Sequence, residues 1–166
     1  MSRHVLDEKD IRNLPPKERL EHCSSILKNS KDESLRWDAV WLAGEIAETS
    51  GPNDPIFDEV ADLMVWVLNN DDNGVVKHEA SFQIAARNMR KKIPDLVKSV
   101  QNDKSALVKH ESLESLGLMR AFEVEDMIAK VVSDPNHDVG QTAAFVLKRF
   151  ARLKNLKEEY TPSRIL

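Results

Sequence analysis

The sequence predicts an all-α protein, a solenoid of four antiparallel helix pairs. The first indication is that residues 76–80, VKHEA, recur as residues 108–112, VKHES, at an offset of 32 residues. In the same register, residues 35–39 lie 41 residues upstream of the first motif and residues 139–143 lie 31 residues downstream of the second. Periods of a few tens of residues are typical of repeat proteins, in which each unit buries its apolar face against its neighbours. The second indication is that no stretch has the alternating pattern of a β-strand.

Length, charge and cysteine content narrow the possible classes of protein. The 166 residues, 41% of them apolar, suit one compact domain with a substantial core. Lys and Arg total 24 against 28 Asp and Glu, and the net charge of -4 disfavours a nucleic-acid partner. The single cysteine, Cys23, excludes an intrachain disulfide and predicts a buried thiol in a reducing, cytoplasmic setting. The most apolar run, 60–68, is interrupted by Asp62 and too short to span a bilayer, so no membrane association is predicted.

The repeat domain is predicted to cover residues 15–153, between an N-terminal arm or short helix at 1–14 and a C-terminal tail at 154–166. Pro162 prevents that tail from continuing as a helix. The four repeats are expected at about 15–50, 54–89, 91–120 and 122–153.

Start signals and apolar spacing define the helices within each repeat. Pro15 and Pro16 open a first helix of about 13 residues, because proline suits the first turn and is disfavoured in a helix interior. Asp32 or Ser34 can cap its partner, which extends to about Thr49. Short polar connections with cap or turn residues separate the later helices. Those helices are expected at about 55–68 with 73–88, 91–100 with 105–119, and 123–132 with 136–153.

Aligned columns distinguish packing positions from positions that face a ligand. The fourth residue after each leading Val or Leu is small in every repeat, which is typical of a packing position. These small residues are Ala39, Ala80, Ser112 and Ala143. Two other columns vary too much for a core, and we expect them to face the concave side of the solenoid, which second helices usually line. They contain Trp37, His78, His110 and Gln141, followed by Asp38, Glu79, Glu111 and Thr142.

The repeated His-Glu pairs are candidate metal ligands. Adjacent residues on one helix point about 100° apart, so a single pair cannot hold one ion. Second helices of neighbouring repeats stand about 8–10 Å apart, which places His78 beside His110 and Glu79 beside Glu111. Two imidazoles and a carboxylate form the set associated with non-haem Fe(II) sites. The pairs can instead be solvated polar contacts, and Glu114 can either orient His110 or be an ordinary surface charge.

With these motifs the chain resembles one half of the deoxyhypusine hydroxylase family. Residues 76–85 and 108–117 follow the motif helix of that family nearly position by position. Its members are HEAT-like repeat proteins with a non-haem di-iron centre, which activates O2 and hydroxylates deoxyhypusine, the modified lysine of a translation initiation factor. Other HEAT-like proteins, including relatives of bilin lyases, lack the His-Glu pairs. The resemblance implies iron ligation and catalysis by residues of the two motifs. The implied iron ligands are His78, Glu79, His110 and Glu111, of which Glu79 and Glu111 are also the implied catalytic residues.

One departure from the family leads to a prediction about assembly. The family carries four His-Glu motifs on two halves of one chain, whereas this chain has two motifs on four repeats. A two-fold dimer would supply four imidazoles and four carboxylates, and four carboxylates neutralise two Fe2+ ions. We therefore expect a homodimer with two Fe2+ at its interface, O2 as co-substrate and, by resemblance, a protein substrate with a modified lysine. The runner-up hypothesis is a metal-free HEAT-repeat interaction scaffold.

Overall fold

Nine α-helices follow one another through residues 7–155, the part of the chain that the computed structural model describes. They are α1 (Glu8–Arg12), α2 (Pro16–Asn29), α3 (Glu33–Ser50), α4 (Pro55–Asn70), α5 (Gly74–Ala86), α6 (Ile93–Asn102), α7 (Ala106–Leu118), α8 (Glu125–Val131) and α9 (His137–Leu153). Within the described residues there is no strand, and no helix is long and apolar enough to cross a membrane. Residues 1–6 of the predicted N-terminal arm and 156–166 of the predicted tail lie outside the described part.

The helices pack as the four predicted pairs. Helix α2 packs on α3, α4 on α5, α6 on α7 and α8 on α9. The second helix of each pair also packs on the second helix of the next, so α3, α5, α7 and α9 form one continuous row. The predicted fold class, an all-α solenoid of four helix pairs, is confirmed. Because both motifs lie on neighbouring members of this row, their side chains can meet across the α5–α7 contact.

Side-chain caps set the start of every second helix. The side chain of Asp32 accepts hydrogen bonds from backbone N–H groups in the first turn of α3, and Asn73 does the same for α5. Ser105 and Asn136 cap α7 and α9. Each cap satisfies backbone donors that the helix itself leaves without partners. Of the two residues predicted as alternatives for α3, Asp32 is therefore the cap.

The third and fourth pairs begin later than the sequence suggested. Asn88 and Arg120 both take a left-handed backbone conformation, with φ of 52° and 51°, immediately after α5 and α7. The chain then makes short 3-10 turns, Arg90–Lys92 and Phe122–Val124, before α6 and α8 start. Polar and apolar residues in these turns resemble the start of a helix, which is why the spacing predicted starts at about 91 and 123.

A recurring ion pair joins each repeat to the next, and its acidic members, Asp71, Asp103 and Asp134, are termed here the aspartate ladder. Each aspartate pairs with a basic residue of the preceding second helix and also accepts a hydrogen bond from the backbone N–H two residues ahead. The pairs are Arg36 Nε to Asp71 Oδ2 at 2.9 Å, Lys77 Nζ to Asp103 Oδ2 at 2.9 Å, and Lys109 Nζ to Asp134 Oδ2 at 3.5 Å. The ladder thus fixes the register between repeats at the end of the row where the second helices begin.

Small residues let the second helices approach closely. The predicted packing column is fully buried, which confirms its assignment; it consists of Ala39, Ala80, Ser112 and Ala143. Between α5 and α7, the hydroxyls of Ser81 and Ser112 hydrogen-bond at 2.9 Å. The Ser115 hydroxyl donates to the Ser81 carbonyl oxygen at 3.0 Å. These contacts hold the two motif-bearing helices side by side.

Candidate metal centre

The two predicted surface columns differ in burial. His78 and His110 are half-buried and Gln141 is exposed, as expected for a ligand-facing column. Glu79 and Glu111, however, are only 7% and 5% exposed. The expectation that the glutamate column faces the surface is therefore wrong. Because adjacent residues point about 100° apart, the histidines lie on a partly exposed face of the row while the glutamates turn into the contact between second helices.

An ion pair across the α5–α7 contact links the two motifs diagonally. His78 Nε2 lies 2.9 Å from Glu111 Oε2, so the histidine of one repeat binds the glutamate of the next. The hydrogen bond and negative charge of Glu111 raise the pKa of His78 above its ordinary value, although partial burial of the ring opposes that shift. A metal ion that took His78 Nε2 as a ligand would therefore have to replace both this contact and any proton on that nitrogen.

Glu79 is held within its own helix. Gln83 Nε2 donates to Glu79 Oε1 at 2.9 Å, across one turn of α5. Burial raises the pKa of the Glu79 carboxyl, and the nearby charge of Glu111 adds to that rise, while Gln83, His78 and Arg87 oppose it. Glu79 and Glu111 are thus two buried carboxylates close enough to influence each other, and His78 forms an ion pair with Glu111.

His110 has partners of a different kind. Its Nδ1 lies 2.6 Å from the hydroxyl oxygen of Thr142, and that hydroxyl donates its own proton to the Asp138 carbonyl oxygen at 2.7 Å. Thr142 Oγ1 therefore accepts from Nδ1–H, which leaves Nε2 as the nitrogen available to a ligand. Glu114, predicted as a possible orienting group, lies 3.3 Å from this Nε2. The residue that fixes the ring through Nδ1 is Thr142 instead.

Thr142 lies in the column that follows the histidine column, and the sequence alone predicted no role for it. Glu111 and Thr142 occupy equivalent positions, and each contacts the histidine of the preceding repeat. The sequence feature that indicates Thr142 as a partner of His110 is its aligned column, which contains a side chain capable of hydrogen bonding in every repeat. The site is thus built from diagonal contacts between successive second helices.

The four predicted ligands are brought into one region but not to one point. Among residues 7–155, no group of three or more metal-ligating side chains is close enough to hold an ion. His78 and Glu111 are in contact, Glu79 is bound to Gln83, and His110 is bound to Thr142. The donor set nevertheless fits iron, because two imidazoles lie beside two buried carboxylates whose negative charge a cation would compensate. One chain therefore presents an incomplete set of ligands for a metal ion.

The pKa shifts predict that the metal-free protein is more stable in mild acid. The folded-state pKa of His78 is raised above its ordinary 6.5 and that of Glu79 above 4.5. Each group therefore adds stability below its ordinary pKa and loses it as pH rises through the raised value. We expect the melting temperature to fall by about 2–4 °C between about pH 6 and pH 8, equivalent to about 1 kcal/mol. Scanning calorimetry of metal-free protein measures this, and the His78→Gln variant should show a flatter profile. A melting temperature that rises over this interval would contradict the assignment.

The fold and the site define a class of protein, a helical-repeat solenoid with His-Glu motifs on two adjacent repeats. Comparison with known proteins gives this class a name: the chain is a HEAT-like repeat protein that resembles deoxyhypusine hydroxylase. No protein-family model matches the chain. Deoxyhypusine hydroxylase of Gallus gallus is 30% identical over 90 residues, and that of Aspergillus fumigatus is 27% identical over 138 residues.

The aligned regions make up a larger share of this chain than of the relatives. The matches span 54% and 82% of this chain, but only 30% and 40% of the two curated relatives. The solved structure of human deoxyhypusine hydroxylase in complex with glycerol superposes with a TM-score of 0.73 at 20% identity. That superposition covers 89% of this chain and 51% of the human chain. The solenoid therefore corresponds to about half of the human fold.

Proposed function

We propose that the protein is an iron-dependent, O2-using hydroxylase of the deoxyhypusine hydroxylase type. The observation that carries the proposal is the pairing of two His-Glu motifs on adjacent helices, with both carboxylates buried beside a half-buried histidine. The sequence similarity to curated deoxyhypusine hydroxylases supports the class of reaction. By the same similarity we propose a lysine-derived amine on a protein as the substrate. We also propose a cytoplasmic location, because the single cysteine, Cys23, is a buried free thiol.

The proposed ligands have distinct tasks. Iron, when bound, would supply the activation of O2. His110 offers Nε2 while Thr142 holds its other nitrogen. His78 has to give up its proton and its contact with Glu111 before its Nε2 can ligate, which frees that carboxylate as a second ligand. Glu79, oriented by Gln83, provides the remaining carboxylate.

We further propose that two chains complete a di-iron centre. One chain brings two imidazoles and two carboxylates, and within its described residues no three ligands converge. Two chains bring four carboxylates, whose charge balances two Fe2+ ions. The superposition covers 51% of the human chain, so the remaining part of that fold marks a position that a second copy of this solenoid could occupy. These observations support an interface that contains the metal.

The face that carries the histidines suits such an interface. Val75 and Leu107 precede His78 and His110 by three residues and therefore lie on the same helix faces. Phe145 lies four residues after Gln141 on the corresponding face of α9. These three side chains are 53%, 42% and 62% exposed, which is unusual for large apolar residues in a region of half-buried polar groups. A second copy would cover them.

The proposal is tested by iron content, mass and spectroscopy of protein purified without chelators. We expect about one iron per chain, a dimer in light scattering and magnetically coupled ferric ions in Mössbauer spectra. Phe145→Glu should give a monomer without coupling, because it places a charge on the proposed interface. Val132→Glu is the matched control, since Val132 is an exposed apolar residue outside the row of second helices.

Each outcome has a distinct meaning for the function. An iron-loaded monomer without coupling would contradict the di-iron centre and favour a mononuclear site with two histidines and one carboxylate. Protein without stoichiometric iron after anaerobic loading with Fe2+ would contradict the enzyme. That result would favour the metal-free interaction scaffold, for which the exposed Phe145 would be the natural contact residue.

A further inference from the structure

A chain of buried polar groups leads from Glu79 to the protein surface. Gln83 donates through Nε2 to Glu79 Oε1 at 2.9 Å and accepts through Oε1 from Arg87 Nε at 3.2 Å. Arg87 Nη1 donates to Glu48 Oε2 on α3 at 2.6 Å. Gln83 and Arg87 are both buried, whereas the Glu48 side chain is about half-exposed. We term Gln83, Arg87 and Glu48 the polar relay.

The chemistry of these groups fixes their orientation. A guanidinium has only donors, so the atom of Gln83 that faces Arg87 has to be the amide oxygen. The amide nitrogen then faces Glu79, and because it has only donors the Glu79 oxygen has to accept. Arg87 thus determines which way the Gln83 amide points, and through it where one oxygen of Glu79 is held. The relay leaves the second oxygen of Glu79 for other partners.

Helix α3 has residues that fit against Gln83 and Arg87. A Cβ placed on Gly44 would lie 2.0 Å from Gln83 Oε1, so any larger residue would displace the amide. Glu48 lies one turn further along the same face of α3 and meets the far end of Arg87. Two positions of α3 therefore accommodate two side chains of α5. The fit matters because Gln83 and Arg87 are buried, and a buried polar group lowers the stability of the fold unless its hydrogen bonds are made.

The repeat itself does not require these residues. The third repeat has Ser115 and Met119 at the positions equivalent to Gln83 and Arg87. The first and fourth repeats have apolar residues there, Leu42 with Ile46 and Val146 with Phe150. Of the aligned repeats, the one that carries Glu79 is thus the one with Gln and Arg at these two positions, while the carboxylate of the next motif is held by His78.

From this arrangement we propose that Gln83 and Arg87 are positioning residues, which hold Glu79 in the orientation that binds iron. The inference rests on the proposed function, since it gives Glu79 the role of ligand. Partners of metal ligands are often worth a factor of about 10–100 in metal affinity, because they restrict the ligand to the productive rotamer. The glutamates of the two motifs would then differ in function. Glu79 would be held in place by the Gln83 amide, whereas Glu111 would first have to be released from His78.

The test measures Fe2+ affinity under anaerobic conditions by competition with a chromogenic chelator. Gln83→Leu and Arg87→Met should each weaken Fe2+ binding by about 10–100-fold. Gly44→Ala should do the same without altering a polar group, because the new methyl displaces the Gln83 amide. Asp71→Ala is the matched control: it removes a buried polar contact of the aspartate ladder, so it should lower stability but leave Fe2+ affinity unchanged.

A second readout needs no metal. In nitrogen-15 spectra of the metal-free protein, the Gln83 side-chain amide protons should exchange slowly with water, because the amide is buried and hydrogen-bonded through both its nitrogen and its oxygen. Arg87→Met should accelerate that exchange. Wild-type protein that takes up no Fe2+ would contradict the iron site itself. Iron-loaded wild type together with unchanged affinity in all three variants would overturn the relay alone, as would a Gln83 amide that exchanges rapidly in the wild type.

Discussion

Replacing His78 by alanine is expected to remove stoichiometric iron and also to lower the free energy of unfolding of the metal-free protein by about 2 kcal/mol. The stability loss arises because Glu111 is buried and His78 is its direct ion-pair partner. Without the imidazole, the carboxylate must either stay charged without a partner or take up a proton. Urea unfolding at about pH 6, where the pair is fully formed, measures the loss together with iron content.

His110→Ala is the matched control for that prediction. It should also lose iron, but its contacts are with Glu114, which is partly exposed, and with Thr142, whose hydroxyl keeps its bond to the Asp138 carbonyl oxygen. The expected stability loss is therefore below about 1 kcal/mol. Equal losses in the two variants would contradict the diagonal pairing, and full iron content in either would remove that histidine from the ligands.

Asp71→Ala is expected to lower the free energy of unfolding by about 3 kcal/mol. The change removes a carboxylate whose side chain is only 2% exposed and leaves the buried guanidinium of Arg36 without its main partner. It also removes the hydrogen bond that Asp71 accepts from the backbone N–H of Asn73. Urea unfolding monitored by circular dichroism measures the cost.

The rest of the aspartate ladder supplies a graded control. Asp134→Ala should cost less than about 1 kcal/mol, since its pair with Lys109 is longer, at 3.5 Å, and more accessible to water. Asp103→Ala should lie between the two, because its lysine partner is more exposed than Arg36. A cost that does not decrease along the series would contradict burial as the source of the stability.

The sequence was sufficient to predict the helix pairs, because a repeat imposes the same start signals and small residues on every unit. Ser105 and Asn136 cap α7 and α9 at the positions where the pattern predicted those helices to begin. The repeat also identified the motif residues, since His78 and His110 align without ambiguity. What it could not provide was the direction of each side chain across a helix contact. An alignment compares equivalent positions, whereas His78 contacts Glu111, which is one position along and one repeat further.

The same limit explains the features that the sequence analysis missed. Gln83 and Arg87 have no counterparts in the other repeats, so comparison between repeats treats them as variation. Their role becomes visible only when Gly44 is seen to leave room for the Gln83 amide. The burial of Glu79 was missed because a charged residue in a variable column is usually solvated.

The serine contacts between α5 and α7 have a consequence for how such a protein can move. Ser81 bonds to Ser112 and Ser115 across the helix contact, and all three are completely buried. Because buried, closely packed contacts of this kind resist relative movement, we expect α5 and α7 to behave as one rigid unit with the two motifs at a fixed separation. Any motion that changes the access of a bulky partner to the motifs is therefore expected to move α5 and α7 together.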